Sequence, residues 1–199
     1  MITLYVCLLL LVLHASLPGS DLRLLARVRL RHTWLVWSAL ASQVLIISVL
    51  PDAGGLSQAA HLLTYALAGA FAVLNMRSAG TWVVGAGGGL NLAAILANGG
   101  VMPASADALA ASGWQAPPGQ FANSDVITDA RLAFLGDVFA TPSWLPVDSV
   151  FSIGDVVVVV GIAVFLNQTC RPRSGPRRRP AFLGRGQAEP TTVAPPAAG

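Results

Sequence analysis

Five stretches of the chain, residues 1–17, 34–50, 59–74, 82–97 and 153–168, are apolar runs without Asp, Glu, Lys or Arg apart from Asp155 near the start of the last. A bilayer core of about 30 Å is crossed by roughly 20 helical residues, with about 17 as the lower limit. In hydrocarbon the backbone N–H and C=O groups must be bonded within the segment, so each such run is read as a helix. The pattern predicts an all-α, polytopic membrane protein. It has about five transmembrane helices in a domain covering 1–168 and one long extracytoplasmic loop, 98–152, that contains short helices. With 54% hydrophobic and 11% charged residues, the charge segregated into blocks between the runs, the composition is that of a chain dissolved in lipid.

The basic residues, all of them arginine, set the orientation. Eleven of the twelve lie in the blocks 21–31, around Arg77 and after Arg171, which fall on one side of a five-span chain. The other side carries Asp52, Asp107, Asp125, Asp129, Asp137 and Asp148 with the single Arg131. The positive-inside rule then predicts a multi-pass cell-membrane protein with its N-terminus outside and its C-terminus in the cytoplasm. The tail, 169–199, rich in Arg, Pro and Ala, has nothing with which to bury a core and is expected to be disordered. Its basicity would suit nucleic acid, but beside a span it reads as a topology signal, and no nucleic-acid partner is expected.

The first run has no basic residues before it and no small-x-small site after it, so an uncleaved helix is favoured over a signal peptide. In Asp21–Arg31, Arg23, Arg27 and Arg31 recur every fourth residue with Leu24, Leu25 and Val28 between them. That spacing fits a short helix lying on the headgroups, where each arginine near an anionic leaflet contributes about 1 kcal/mol, or equally a plain stop-transfer signal. Trp34 and Trp37 are interface anchors, as are Trp114 and Trp144 in the outer loop. Gly85-x-x-x-Gly89, with Gly87 and Gly88, forms a small-residue face expected to pack within the fold rather than to dimerise it. Cys7 sits in the first run and Cys170 just past the end of the last, and they make neither a disulfide framework nor a zinc site.

The outer loop is too long for an idle connection. Ser105 is placed to cap a short helix ending at Gly113, and Thr128 another through Leu135 that stops at Gly136. The stretch 113–123 reads as a flexible excursion.

Three motifs, Asn98-Gly-Gly-Val-Met-Pro103, Arg131-Leu-Ala-Phe-Leu-Gly-Asp137 and Val150-Phe-Ser-Ile-Gly-Asp155, occur in this order before the last span. Together they resemble a family of small bacterial integral membrane proteins of unknown function, over roughly residues 1–168. Residues 139–146 depart from the more regular apolar and proline pattern of that family. The resemblance implies a shared fold and no established activity.

The candidate polar site comprises Asn91, Asn98, Gly99, Gly100, Arg131, Asp137, Ser152 and Asp155. An ionisable residue inside a span, such as Asp155, is a functional candidate by default. Yet Ser152-Ile-Gly-Asp155 also fits a capping box, in which the two side chains satisfy each other's backbone N–H groups. Asn91 is expected to face the bundle and make an interhelical hydrogen bond. Arg131, the one outer arginine, is expected to pair with Asp129, Asp137 or Asp155 and so pin the loop to the bundle. A sharper alternative has Asp137, Asp155 and the carbonyls after Asn98 coordinating Ca²⁺ or Mg²⁺, which prefer oxygen ligands. His14, His32 and His61 lack metal spacing, and of the three His61 alone lies where it would join the outer cluster. No nucleophile motif, phosphate loop or dinucleotide fingerprint is present, so no catalytic residue, metal or cofactor is expected.

Two functional classes follow. One is a structural or accessory membrane component that meets the bilayer and a membrane-protein partner. The other is a membrane-embedded binding protein, transporter or enzyme that uses the polar outer site.

Overall fold

The computed structural model of the chain describes residues 2–49, 55–78, 80–113, 124–145 and 147–171. Its helices are α1 (Ile2–Ser16), α2 (Trp34–Val49), α3 (Gly55–Leu74), α4 (Thr81–Ala97), α5 (Ala106–Ser112) and α6 (Ile153–Cys170). Short 3-10 turns lie at Leu22–Arg27 and Ala133–Leu135. Two-residue strands add fastenings between α4 and α6. Of these, β1 (Met102–Pro103) runs parallel to β2 (Ser124–Asp125), and β3 (Phe139–Ala140) runs antiparallel to β4 (Val150–Phe151). The architecture is mostly helical, as expected. Of the described helices, α3 and α6 are long and apolar enough to cross a membrane by length and composition, while α1, α2 and α4 are apolar but shorter. The tail expected from 169 starts later, because α6 takes in Thr169 and Cys170; the rest of it beyond Arg171 lies outside the described residues, as do the excursion after Gly113, with Trp114, and most of the turn before α3.

The helices pack in the spatial order α2, α3, α4, α6, α1. Glycines set the closest contact, which is antiparallel, between α4 and α6. A Cβ added at Gly87 would lie 2.6 Å from Gly154 O and 2.7 Å from Val158 N, and one at Gly161 would lie 2.6 Å from Val84 N. One at Gly80 would strike the backbone of Gly161 and Phe165. A seven-residue repeat on each helix, Gly80/Gly87 against Gly154/Gly161, thus lets the two backbones touch. The expected packing of the glycines within the fold holds for Gly87, but they do not form one face. Gly85 meets Ala72 of α3 instead, and Gly88 and Gly89 have nothing within 4 Å of an added Cβ.

Backbone clamps gather the arginine-bearing segments at one end. Asp21 N–H donates to Cys170 O at 2.8 Å, tying the segment after α1 to the last turn of α6. Asn75, just past α3, accepts from Arg31 N–H at 2.7 Å and donates to Arg31 O at 3.0 Å and Phe71 O at 2.8 Å. The headgroup helix expected over Asp21–Arg31 is a 3-10 turn, Leu22–Arg27, begun by the Asp21 carboxylate, which accepts from Arg23 N–H.

At the opposite end, Ala94, Ile95 and Met102 form a buried cluster against which Leu62, Tyr65 and Leu135 pack. It seats the loop on α3 and α4. The short helix after Ser105 forms as expected: the Ser105 hydroxyl accepts from Ala108 N–H, and Gly113 closes α5 in the left-handed region. The helix expected from Thr128 does not form. Asp129 and Leu132 both adopt positive φ, 57° and 52°, which interrupts the run and leaves one 3-10 turn.

Candidate functional site

The site forms where α4 ends, α6 begins and the loop folds back between them. Ser152 caps α6, with its hydroxyl accepting from Asp155 N–H at 3.0 Å while Asp155 Oδ2 accepts from Ser152 N–H at 3.0 Å, completing the capping box. Asn91, on α4 and buried, closes the group across the helix interface. Its Nδ2 donates to Asp155 Oδ1 at 3.2 Å, and its Oδ1 accepts from the Ser152 hydroxyl at 2.8 Å. That hydroxyl has one proton, which it shares with Asp155 Oδ2 at 3.0 Å. The approach requires glycine at 154, since an added Cβ would collide with the Asn91 carboxamide. Asp155 is thereby bonded through both oxygens, at a helix N-terminus where negative charge is favoured.

Asn98, the C-cap of α4, holds the loop by its peptide backbone. Its Oδ1 accepts from Arg131 N–H at 2.8 Å, and its Nδ2 donates to Arg131 O at 2.7 Å and Ala94 O at 2.7 Å. Gly99 and Gly100 turn the chain at φ 70° and 96°. Gln58 of α3 donates to Gly99 O, and an added Cβ at Gly100 would strike the same side chain. The expected ion pairing of Arg131 is corrected here. Its side chain is exposed, and among the described residues it makes no ion pair with Asp129, Asp137 or Asp155. The positive φ at Asp129 and Leu132 presents the Arg131 peptide, rather than its guanidinium, to α4.

Asp137 is the titratable group that the site strains. It is 7% exposed, and its backbone bridges the loop: Asp137 N–H donates to Pro103 O at 2.9 Å and its carbonyl accepts from Ser105 N–H at 3.0 Å. The Ser124 hydroxyl donates to Oδ2 at 2.5 Å. Burial first, and the nearby Asp155 carboxylate as well, push its pKa up to about 6 against the opposing effect of the Ser124 bond. The Tyr65 phenol of α3 lies within electrostatic range of both carboxylates. The structure thus places Asp137, Asp155, Asn91 and Ser152 in one neighbourhood, with Asn98, Gly99 and Gly100 holding its edge and the Arg131 side chain outside it.

No cluster of three His, Cys, Asp or Glu suited to a metal ion occurs among the described residues, and both carboxylates are already engaged by protein donors. The His61 ring packs edge-on against Tyr65, with ring centroids 5.2 Å apart. Its Nδ1 lies 3.3 Å from Gln43 Nε2 of α2, and Thr64 donates to Gln43 Oε1 at 3.2 Å. This trio borders a groove of about 350 Å³ between α2 and α3. Both cysteines are free.

Sequence reasoning missed Ser124, Tyr65 and Gln58. Ser124 carries no local signal, because its role comes from the parallel pairing of β2 with β1. Gln58 offered one, as a polar residue at the start of an apolar helix.

Comparison with known proteins places the chain in a family. A model described as a family of unknown function (DUF5317) matches residues 27–167, which takes in every residue of the site and leaves out α1. No curated protein and no solved structure matches the chain.

Proposed function

We propose that this chain, which belongs to that family of unknown function, is a multi-pass membrane protein serving as a structural or accessory component. Helices α1, α2, α3, α4 and α6 cross the bilayer, the described parts of the segment 98–152 form an outer cap fastened to α3, α4 and α6, and the C-terminus is cytoplasmic. One observation carries the membrane reading: polarity is inverted relative to a water-soluble bundle. On α3 and α4 the buried positions include Ser57, His61, Thr64, Thr81 and Asn91, whereas Leu56, Leu63, Val73, Trp82 and Leu96 are exposed. The two longest apolar helices, Gly55–Leu74 and Ile153–Cys170, bury only 11% and 22% of their spanning windows, unlike the core helix of a soluble domain. A bilayer supplies the missing apolar surroundings. The shorter helices fit by local thinning, aided by flanking Trp and Arg.

The orientation is supported by the clamps Asp21–Cys170 and Arg31–Asn75, which bring the arginine-rich segments to the same end as the C-terminus of α6. The accessory reading rests on the satisfaction of Asn91, Asn98, Ser152 and Asp155 by one another and by backbone, which leaves them occupied in holding the cap. Alkaline carbonate extraction, with topology reporters fused after Ser78 and after Ser112, tests the membrane reading. Retention in the membrane pellet, with Ser78 cytoplasmic and Ser112 outside, is expected; release, or the reverse sidedness, overturns it. Extraction in mild detergent followed by mass spectrometry tests the accessory role, for which a constant stoichiometric partner is expected.

Asp137 favours a second reading, a binding site of the cap that responds to protons. A buried carboxyl beside another carboxylate costs stability when charged, and such sites cluster at functional positions.

A further inference from the structure

We infer that the exposed arginines of the segment between α1 and α2, Arg23, Arg27, Arg29 and Arg31, form a preorganised platform for anionic phospholipid headgroups. The inference rests on the membrane reading above and deepens it by naming the partner. All four side chains are exposed, and none makes an ion pair among the described residues. The nearest acid, Asp21, has its carboxylate turned to Arg23 N–H. Four positive charges fall within nine residues and have no acidic partner among the described residues, so anions are the groups left to neutralise them.

The alternation along the segment has a direction. Leu22, Leu24, Leu25, Val28 and Leu30 are half-buried while the arginines between them point out. The segment is also held at both ends, by the Asp21–Cys170 bond and by the carboxamide of Asn75 on the Arg31 peptide. The backbone ordering that a mobile basic tail undergoes on binding is therefore already complete in the folded protein.

Lipid is favoured over a soluble polyanion by what borders the platform. Trp34, Trp37 and Trp82, exposed at 59%, 69% and 60%, stand at the starts of α2 and α4, where apolar helix surface begins. Indole rings at that level mark the headgroup zone of a bilayer. The arginines beside them lie at the depth of lipid phosphates, within reach of an anionic leaflet's surface potential.

The test uses the full chain reconstituted in nanodiscs of phosphatidylcholine alone or with 30% phosphatidylglycerol, reading the thermal unfolding midpoint. Phosphatidylglycerol is expected to raise the midpoint of the wild-type chain by several degrees. The triple variant R23Q/R27Q/R29Q is expected to lose most of that rise, while Arg131→Gln, at the other end, keeps it. If the triple variant does not fold, Arg27→Gln alone is expected to show a partial loss. Equal midpoints in the two lipids, or a full rise in the arginine variants, would overturn the platform. An equal rise in phosphatidylcholine discs on adding heparin would overturn the choice of lipid. Release by carbonate extraction would instead sink the membrane reading, a separate result.

Discussion

Asn75 and Asn98 grip an arginine peptide in the same way at opposite ends of the helical bundle. Each follows an apolar helix, each accepts from the arginine N–H (Arg31 at 2.7 Å, Arg131 at 2.8 Å), and each donates to that residue's carbonyl and to the carbonyl four residues back. Aspartate at either position is nearly isosteric but loses both N–H donors and sets a carboxylate oxygen against two carbonyls. Asn75→Asp and Asn98→Asp are expected to destabilise by about 2–3 kcal/mol each, measured by thermal unfolding in detergent. Arg131→Gln, which keeps the peptide, is expected to change stability by less than about 0.5 kcal/mol. A large loss from Arg131→Gln would mean that the guanidinium matters after all.

The glycine repeat makes a position-specific prediction within α4. Gly87→Ala sets a methyl 2.6 Å from Gly154 O, so the two helices must part along their length; a loss of about 2–4 kcal/mol, with a lowered unfolding midpoint, is expected. Gly89→Ala meets nothing within 4 Å and adds helix propensity, so a neutral result or a gain of about 0.5–1 kcal/mol is expected. The reverse order would contradict the Gly87–Gly154 contact.

Asp137 predicts an uncommon pH dependence. Its folded-state pKa, about 6, lies above the unfolded value of 3.8, so the native state binds the proton more tightly. Its contribution to stability is fully present below about pH 4 and is lost as pH rises through 6, by up to roughly 3 kcal/mol. Asp137→Asn removes the titration and is expected to be more stable than wild type at pH 7.5, with the difference closing toward pH 4. Unfolding midpoints across that range measure it, and a less stable Asn variant at pH 7.5 would show that the charge is used in the folded protein.

Asn91→Leu removes two hydrogen bonds across the α4–α6 interface. Such bonds within membranes average about 0.6 kcal/mol, so a loss of about 1–2 kcal/mol is expected. Hydrogen exchange should quicken at the first turn of α6 and stay unchanged at its last.

His14 presents the opposite case. It is 7% exposed, and its Nε2 is buried without a hydrogen-bond partner, which costs about 1–3 kcal/mol. His14→Leu is expected to raise the unfolding midpoint, and a fall would point to a role for the imidazole.

What the sequence made legible was local. The α6 capping box is written in Ser152 and Asp155, three residues apart, and the α5 cap in Ser105 and Gly113. The inward-facing Asn91 followed from its cost in an apolar run. What it concealed was set by residues distant in the chain. The spacing within α4 cannot say which glycine meets a partner, because Gly154 and Gly161, beyond the loop, make that choice. The Arg131 charge drew attention to its guanidinium, whereas two positive-φ residues, Asp129 and Leu132, decide that its peptide is what binds.

The antiparallel contact of α4 with α6 has a consequence for the length of the cap. Because the helix pair fixes where residue 98 leaves and residue 152 returns, the two ends of the loop are brought together independently of what lies between them. Closure entropy grows only logarithmically, by about 0.6 kcal/mol per doubling of length. Insertions between the fastened strands are thus thermodynamically mild, and this segment is where a tag, an epitope or a whole small domain is most readily grafted while the helices stay in register.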